Sequence, residues 1–283
     1  MRIEAYDLGK RFGNIWALRN VTLNFEGNVV AILGPNGSGK TTFLTILAGI
    51  RYPTEGYVKV NGFEPYRDRF KAVRYISFMF EKPRLPLNVK VKDLIELILE
   101  EREDDGEGRE LAEKLNIHEF YNEKLYALSS GQAQILGLWV SLACHKGLVI
   151  IDEPFAHLDF QRAKALVDII ERRGEIIFST HVPEEAEALA DYVIILRNGK
   201  VQWAGLRSEL FSRNAYRIYP LVKKHKVIET LRQMGYGNII DLGLEILVYG
   251  CSEEDLTKLI SKKIISGFRM GGIKYAYVLG KED

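Results

Sequence analysis

The sequence predicts an α/β fold, and three observations carry that prediction. Short continuous apolar runs, "NVVAILG" and "LVIIDEP", have the length and composition of strands buried on both faces of a sheet. Segments with apolar residues at helical spacing alternate with such runs, as expected when helices connect parallel strands. A glycine-rich turn, "GPNGSGK", joins the first run to a helix. With 47% hydrophobic residues among 283, the chain has enough apolar side chains for a substantial core.

The N-terminal part is predicted to begin with a half-exposed sheet. "RIEAYDL" and "ALRNVTLNFE" alternate apolar and polar residues, which is the period of a strand with one buried face. The helix after the glycine-rich turn is "KTTFLTILAGI", whose apolar residues repeat at helical spacing. "RYPTEGYVKVNG" then returns to residues typical of a strand and a turn.

Helices are predicted from about Val89 to Leu142, and strands return afterwards. "VKDLIELILEEREDD" and "RELAEKLNI" are amphipathic, and "AQILGLWVSLACHK" is a further helix. The elements that follow alternate as strand, helix, strand, helix and hairpin: "GLVIIDEP", "QRAKALVDIIERR", "GEIIFSTH", "PEEAEALA" and "DYVIILRNGKVQWAG".

Near residue 215 a new series of predicted strands and helices begins, which predicts a domain boundary. We expect a domain of residues 1–214 and a small C-terminal α+β appendage of residues 215–283, without a catalytic constellation of its own. Such an appendage suits a dimer-stabilising, accessory or regulatory role. Its predicted strands and helices are "AYRIYPL", the helical "VIETLRQMGY", "EILVYG", the helical "SEEDLTKLIS" and "KYAYVLG".

Composition and charge exclude several classes of protein. The net charge of +1 gives no electrostatic reason to expect nucleic acid as a partner. Cys144 and Cys251 lie far apart in sequence, which is typical of reduced thiols in a cytosolic protein. No apolar run approaches the roughly 20 residues of a membrane span, and the N-terminus lacks the apolar core of a signal peptide. The sequence therefore predicts a soluble, intracellular chain.

The stretch "GPNGSGKT" matches the pattern G-x-x-x-x-G-K-[ST] of a phosphate-binding loop, after a buried strand and before a helix. A lysine charge about 4 Å from a phosphate charge gains roughly 4 kcal/mol at an effective dielectric of 20, against about 0.3–1 kcal/mol for an exposed helix terminus. Lys40 is therefore expected to dominate phosphate binding, and Thr41 offers a hydroxyl to Mg²⁺. The alternative is a glycine-rich loop that is only a turn. The predicted ATP-binding residues here are Gly34, Pro35, Asn36, Gly37, Ser38, Gly39, Lys40, Thr41 and Thr42.

Two adjacent carboxylates follow the buried strand of "LVIIDEP". Because adjacent strand residues point to opposite faces, Asp152 and Glu153 are expected to have different roles. Asp152 can hold Mg²⁺, and Glu153 can polarise a water for in-line attack on a γ-phosphate. His181, at the end of "STH", is placed to contact that phosphate. The alternatives are a carboxylate pair that caps a turn and a structural histidine.

Together these motifs resemble the ATP-binding cassette family, specifically the nucleotide-binding subunit of a membrane transporter. The resemblance covers roughly residues 2 to 215 and rests on five motifs in the family's order: "GPNGSGKT", "LSSGQ", "LVIIDEP", "AHLD" and "STH". It implies a P-loop NTPase core with an antiparallel β subdomain and an α-helical signature subdomain at about 82–145. The appendage weakly resembles those of drug- and polyketide-export systems.

The resemblance also implies that ATP lies between two head-to-tail cassettes. Ser129, Ser130, Gly131 and Gln132 of the signature "LSSGQ" would contact ATP held by the opposite chain, although the same residues also suit an ordinary helix N-cap. Asp159 would lie at the dimer seam. Phe12, where tyrosine is commoner, matches the aromatic residue that stacks on adenine; the alternative is a core residue.

The sequence departs from the family at two positions. Ser130 stands where glycine is usual, which is a mild change. Glu81 stands where the family has a glutamine that contacts Mg²⁺ and links the site to the membrane subunit. A carboxylate can ligate Mg²⁺ with Thr41 and Asp152, but its charge opposes ATP until the metal is present. We therefore hypothesise a strongly Mg²⁺-dependent nucleotide affinity; the alternative is that Glu81 points to solvent.

The function implied is an ATPase that energises a separate integral-membrane permease. Its partner would be a second copy of itself or a homologous cassette, and its place the cytoplasmic face of the cell membrane, through the permease. A soluble cassette ATPase acting on nucleic acid or ribosomes is a competing class, which near-neutral charge and a single cassette disfavour. A non-hydrolysing regulator is a third, which Glu153 and His181 disfavour. The cargo cannot be inferred, and export is favoured over import only by the appendage.

Overall fold

The computed structural model describes residues 1–83, 87–104, 106–143, 145–211 and 215–272. Its contacts divide the chain into two units, Met1–Ala204 and Gly205–Asp283. This division falls earlier in the chain than the boundary at residue 215, which stays a prediction. Within the described residues no helix is both long and apolar enough to cross a membrane.

The first unit contains strands and helices in alternation, as the sequence predicts. Its strands are β1 (Arg2–Phe12), β2 (Ile15–Glu26), β3 (Val29–Leu33), β4 (Glu55–Val60), β5 (Ile76–Met79), β6 (Leu148–Ile151), β7 (Ile176–Thr180), β8 (Tyr192–Arg197) and β9 (Lys200–Leu206). The last strand, β9, continues two residues past the division between the units. Its helices are α1 (Lys40–Leu47), α2 (Arg69–Tyr75), α3 (Val91–Glu101), α4 (Glu107–Lys114), α5 (Ser130–Leu142), α6 (Phe160–Arg173) and α7 (Pro183–Leu189), with short 3₁₀ turns at Ile117–Phe120 and Leu125–Ala127.

The central sheet has six strands in the order β5-β6-β7-β3-β8-β9. The pairs from β5 to β8 are parallel, and β9 returns beside β8 after a turn at Asn198 and Gly199, both with positive φ. Every residue of β3, β6 and β7 is buried, which explains why β3 and β6 appear in the sequence as continuous apolar runs. The predicted α/β fold is confirmed.

The order of the strands sets the position of the site. β3, β6 and β7 are neighbours in the sheet although they are far apart in sequence. Because parallel strands share one carboxyl edge, the phosphate loop after β3, the carboxylates after β6 and the histidine after β7 meet there.

A separate antiparallel sheet and a helical region complete the first unit. The sheet has the order β2-β1-β4, and bulges in β1 break its register. Helices α3, α4 and α5 and the 3₁₀ turns form the helical region. The prediction missed α2 and β5, because elements of seven and four residues are too short for a clear periodicity. β5 nevertheless pairs with β6 and ends two residues before Glu81.

The second unit has the β-α-β-β-α-β order of a ferredoxin-like fold. Its four-stranded sheet is antiparallel, with the order β11-β12-β10-β13. Buried Ile218, Ile246 and Val248 of this sheet pack with Val227, Leu231, Leu256 and Leu259 of α9 and α10. The elements are α8 (Arg207–Phe211), β10 (Ala215–Pro220), α9 (Lys224–Gln233), β11 (Ile239–Asp241), β12 (Ile246–Tyr249), α10 (Glu253–Ser261) and β13 (Ile265–Met270).

The prediction for this unit was incomplete. The strands and helices expected at 215–261 are present, but β11 and β13 were not foreseen. The predicted strand "KYAYVLG" and Cys144 lie outside the described residues. Cys251 is a buried free thiol.

Candidate active site

The phosphate loop connects β3 to α1 and requires its glycines for close backbone approach. A Cβ on Gly34 would lie 2.4 Å from the carbonyl oxygen of Leu196. Gly39, the N-cap of α1, has a φ of 106°, and a Cβ there would lie 2.5 Å from the carbonyl oxygen of Ala17. Both positions therefore exclude larger residues, independently of any ligand.

Lys40, the first residue of α1, is 6% exposed and points back into the loop. Its Nζ donates to the carbonyl oxygens of Gly34 at 2.8 Å and Pro35 at 3.4 Å. It also lies 3.1 Å from Oε1 of Glu153. The ammonium of Lys40 is thus held at the loop and already paired with a carboxylate.

Asp152 lies just beyond the end of β6 and is almost completely buried. Thr41 Oγ1 donates to its Oδ2 at 2.6 Å, and the hydroxyl of Ser179 donates to its Oδ1. The backbone N–H of Asp152 donates to the carbonyl of Met79 on the neighbouring strand β5. Thr41 and Asp152 therefore present hard oxygen ligands side by side, which suits a magnesium ion.

Glu153 follows with a left-handed φ of 50°, an uncommon conformation for a residue other than glycine. Its backbone N–H donates to Ser179 Oγ at 2.9 Å. The carboxylate, 11% exposed, contacts Lys40 through Oε1 and His181 Nδ1 through Oε2, the latter at 2.9 Å. The two adjacent carboxylates thus have separate partners, as the sequence predicts.

Three polar residues that the sequence did not single out support these groups. The Ser179 hydroxyl touches both Asp152 and Glu153. Gln134 of α5 donates to the carbonyl of Glu153 at 3.3 Å. Glu185 of α7 accepts the hydroxyl of Thr180; burial raises the pKa of its carboxyl, the Thr180 hydroxyl opposes that shift, and the charge of Glu153 adds to it.

A pocket of about 400 Å³ brings most of the predicted residues together. Phe12, Glu81 and residues of the phosphate loop all contribute to its walls. The lining residues are Phe12, Ala17, Asn36, Gly37, Gly39, Lys40, Thr41, Thr42, Glu81, Asp152 and Glu153. A larger cavity of about 560 Å³, near the C-terminal ends of α5 and α6, contains none of the predicted residues. The smaller pocket is therefore the candidate site, because it holds the reactive groups.

Phe12 and Glu81 are both partly open to solvent. The ring of Phe12 is 42% exposed, and cations of Lys10 and Arg51 lie 5.3 and 5.2 Å from its centroid. Glu81 lies 3.9 Å from the ammonium of Lys82. Both residues line the pocket.

The signature segment does not line this pocket. Ser129 is the N-cap of α5 and forms a capping box with Gln132: Gln132 N–H donates to Ser129 Oγ at 3.2 Å, and Ser129 N–H donates to Gln132 Oε1 at 2.9 Å. A Cβ on Gly131 would meet only the carbonyl oxygen of His157, at 3.8 Å. The polar groups of Ser129 and Gln132 therefore pair with each other.

Asp159 is the N-cap of α6 and also lies outside the pocket. Its carboxylate accepts the backbone N–H of Arg162 and the guanidinium of the same residue, both at 2.9 Å. The backbone N–H of Arg162 lowers the pKa of Asp159. Arg162 further pairs with Glu119 at 2.6 Å, which joins the start of α6 to the helical region.

Sequence comparisons identify relatives of this chain. A family model described as ABC transporter matches residues 18–156. An uncharacterized ABC transporter ATP-binding protein, YxlF of Bacillus subtilis, is 31% identical over 82% of this chain and 80% of its own length. The sulfate/thiosulfate import ATP-binding protein CysA of Photorhabdus laumondii is 33% identical over 77% of this chain, which spans only 64% of that protein.

A comparison of folds gives a consistent result. The ATP-binding cassette MJ0796, solved as a dimer in a post-hydrolysis state with ADP and Pi, superimposes with a TM-score of 0.60. The likeness covers 72% of this chain and 98% of that one, at 25% sequence identity.

Proposed function

Because the chain belongs to the ABC transporter family, as an ATP-binding protein, we propose that the pocket between Phe12 and Glu153 binds and hydrolyses ATP to energise a separate membrane permease. The chain is an ATP-hydrolysing cassette. The observation that carries the assignment of the site is the contact of Glu153 with both Lys40 and His181. A phosphate-binding lysine, a carboxylate and an imidazole at one sheet edge supply what phosphoryl transfer to water requires.

The geometry supports a sequence of events at Glu153. In the structure Lys40 pairs with this carboxylate, so triphosphate oxygens arriving in the loop would take over Lys40 and release Glu153. The freed carboxylate would accept a proton from the attacking water, while His181 holds it in position through Nδ1. With Nδ1–H donated to Glu153, Nε2 can donate to a γ-phosphate oxygen only when both ring nitrogens carry a proton.

We propose that Thr41, Asp152 and Glu81 hold Mg²⁺ with the nucleotide. Thr41 Oγ1 and Asp152 Oδ2 are already 2.6 Å apart, and Glu81 lines the same pocket. A magnesium ion in such a site takes few protein oxygens and completes its coordination with phosphates and water. Bound there, it would neutralise charge developing on the phosphates.

The signature supports a composite site made by two copies. Ser129 to Gln132 form a helix N-terminus whose first turn contains no acidic residue, and the dipole of α5 favours an anion there. We propose that this end contacts ATP held by the phosphate loop of the opposite cassette, with Asp159 at the seam. The dimeric relative supports this pairing.

A membrane subunit would find an apolar surface close to Glu81. Phe80, Leu87 and Val89, on the segment that joins β5 to α3, are exposed. We propose that a permease docks there and so holds the chain at the cytoplasmic face of the membrane. Export, as in drug- and polyketide-type systems, rests on the appendage, while CysA is named for import.

The experiment is a Glu153→Gln substitution, which keeps the shape of the side chain and removes the base. We expect ATP binding to persist, hydrolysis to fall by about 100-fold or more, and ATP to convert the protein to a dimer on size-exclusion chromatography. Glu26→Gln, at an exposed carboxylate on β2, is the matched control. Unchanged hydrolysis by Glu153→Gln would remove Glu153 from this role. A wild-type chain that binds ATP without hydrolysing it would favour the non-hydrolysing regulator.

A further inference from the structure

His181 is positioned by the turn that carries it. The side chain is 56% exposed, and its one hydrogen bond within the described residues is to Glu153. An exposed imidazole with one partner gains little orientation from packing. Its direction therefore depends on the backbone between the end of β7 and the start of α7.

Thr180, which precedes His181, is the centre of that turn. It is completely buried. Its hydroxyl oxygen accepts the backbone N–H of Val182 at 2.9 Å, so a single side chain spans both sides of His181. Its carbonyl accepts the N–H of Gly34 at 3.1 Å, which ties the turn to the phosphate loop. The hydroxyl proton must then go to a separate acceptor.

That acceptor is the carboxylate of Glu185, on the first turns of α7. Glu185 is half-buried, whereas its neighbour Glu184 is exposed. Burial raises the pKa of the Glu185 carboxyl, and the negative charge of Glu153 acts in the same direction. Both effects disfavour the charged form of Glu185, and the hydrogen bond from the Thr180 hydroxyl favours it.

We propose that Glu185 is a positioning residue for hydrolysis: through the Thr180 hydroxyl it fixes the turn of His181, and through His181 the orientation of Glu153. This inference rests on the proposed function, because it matters only where Glu153 and His181 act on ATP. In this scheme Glu185 acts through Thr180 and His181 rather than on the reacting atoms. A simpler reading is that Glu185 only stabilises the start of α7, whose N-cap, Val182, provides no side-chain cap.

The test compares Glu185→Ala, Glu185→Gln and Thr180→Val, with Glu184→Ala as the matched control one residue away. Steady-state ATP hydrolysis gives kcat and KM, and thermal unfolding is measured for each variant. Displacing a catalytic group by about 1 Å costs up to roughly 100-fold in rate. We therefore expect Glu185→Ala and Thr180→Val to lower kcat about tenfold or more, with KM changed less than twofold. Glu185→Gln keeps an oxygen acceptor and should retain at least about half of the wild-type kcat.

The outcomes separate the two readings. If Glu185 only stabilises the helix, Glu185→Ala will have a lower melting temperature but an unchanged kcat at temperatures where the protein remains folded. That result would overturn the proposal. Loss of activity in Glu185→Gln as large as in Glu185→Ala would also overturn it, since charge rather than the hydrogen bond would then matter. If Thr180→Val fails to fold, Thr180→Ser, which keeps the hydroxyl, must retain the wild-type kcat. Absence of hydrolysis by the wild-type chain would instead contradict the proposed function.

Discussion

The phosphate-loop side and the signature side of the proposed ATP site pair their polar groups in different ways. On the first, three separate segments of the chain contribute residues that bond to one another at the carboxyl edge of the sheet: Lys40 and Thr41, Asp152 and Glu153, and His181. On the second, Ser129 and Gln132 bond only within a single helix turn. The first side has the groups needed to bind and cleave a triphosphate, and the second has only an anion-binding helix end.

From this difference we expect the phosphate-loop side and the signature side to have separable functions. A cassette with an intact phosphate loop should bind ATP alone, because Lys40 and the loop amides belong to one chain. Hydrolysis should also need the signature, because nothing in the pocket of one chain replaces it. Substitutions on the two sides therefore predict different losses.

The largest effect on ATP hydrolysis is expected from Ser129→Arg, on the signature side. The bulky cation would block the approach of a second copy at the start of α5, where Ser129 is exposed. Hydrolysis should fall by about 100-fold or more, while the Kd for ATP of the monomer changes less than about twofold. Equilibrium binding and turnover measured on the same protein check both values.

Two results would contradict this expectation. A comparable loss of ATP affinity in the monomer would mean that Ser129 belongs to the binding site of its own chain. Unchanged turnover would mean that the signature takes no part. Thr257→Arg, on α10 of the second unit, adds the same side chain at a residue that belongs to neither the phosphate loop nor the signature, and serves as the control.

A smaller effect, on ATP affinity, is expected from Glu81→Gln on the phosphate-loop side. Glu81 shares a pocket with Asp152 and Glu153, so its charge opposes the triphosphate when no metal is present. Two unit charges about 8 Å apart interact by roughly 2 kcal/mol at an effective dielectric of 20, and partial exposure of Glu81 reduces this. The substitution should raise metal-free ATP affinity about three- to tenfold.

The measurement is ATP affinity with Mg²⁺ and with a chelator, in a Glu153→Gln background that prevents turnover. The ratio of the two affinities should be smaller in Glu81→Gln than in the protein with Glu81. Glu26→Gln again provides an exposed control. An unchanged ratio would show that Glu81 takes no part in metal or nucleotide binding and points to solvent.

Much of the fold and of the candidate site was predictable because the signals are local. Buried strands such as β3 and β6 appear as continuous apolar runs, and the loop residues before Lys40 follow directly from sequence spacing. The remainder depends on contacts between distant segments. Nothing near Ser179 in the sequence indicates that its hydroxyl bridges Asp152 and Glu153, and nothing near Glu185 indicates its bond to Thr180.

The same reasoning explains the elements that were missed. β5 has four residues, and its pairing with β6 is a property of the whole sheet rather than of its own sequence. In the second unit, β10 lies between β12 and β13, which follow it in the chain. Local periodicity predicts that such strands exist, but their order depends on which apolar faces pack together.

The central claim is that each ATP site combines the phosphate loop of one copy with the signature of another. Mixing Lys40→Ala protein with Ser129→Arg protein tests it most directly, because a mixed dimer contains one site with both parts intact and one with both parts impaired. We expect the mixture to hydrolyse ATP at a rate well above the sum of the rates of the two separate proteins. A mixture whose activity equals that sum, under conditions where size-exclusion chromatography shows that the two variants dimerise with each other in the presence of ATP, would contradict the composite site.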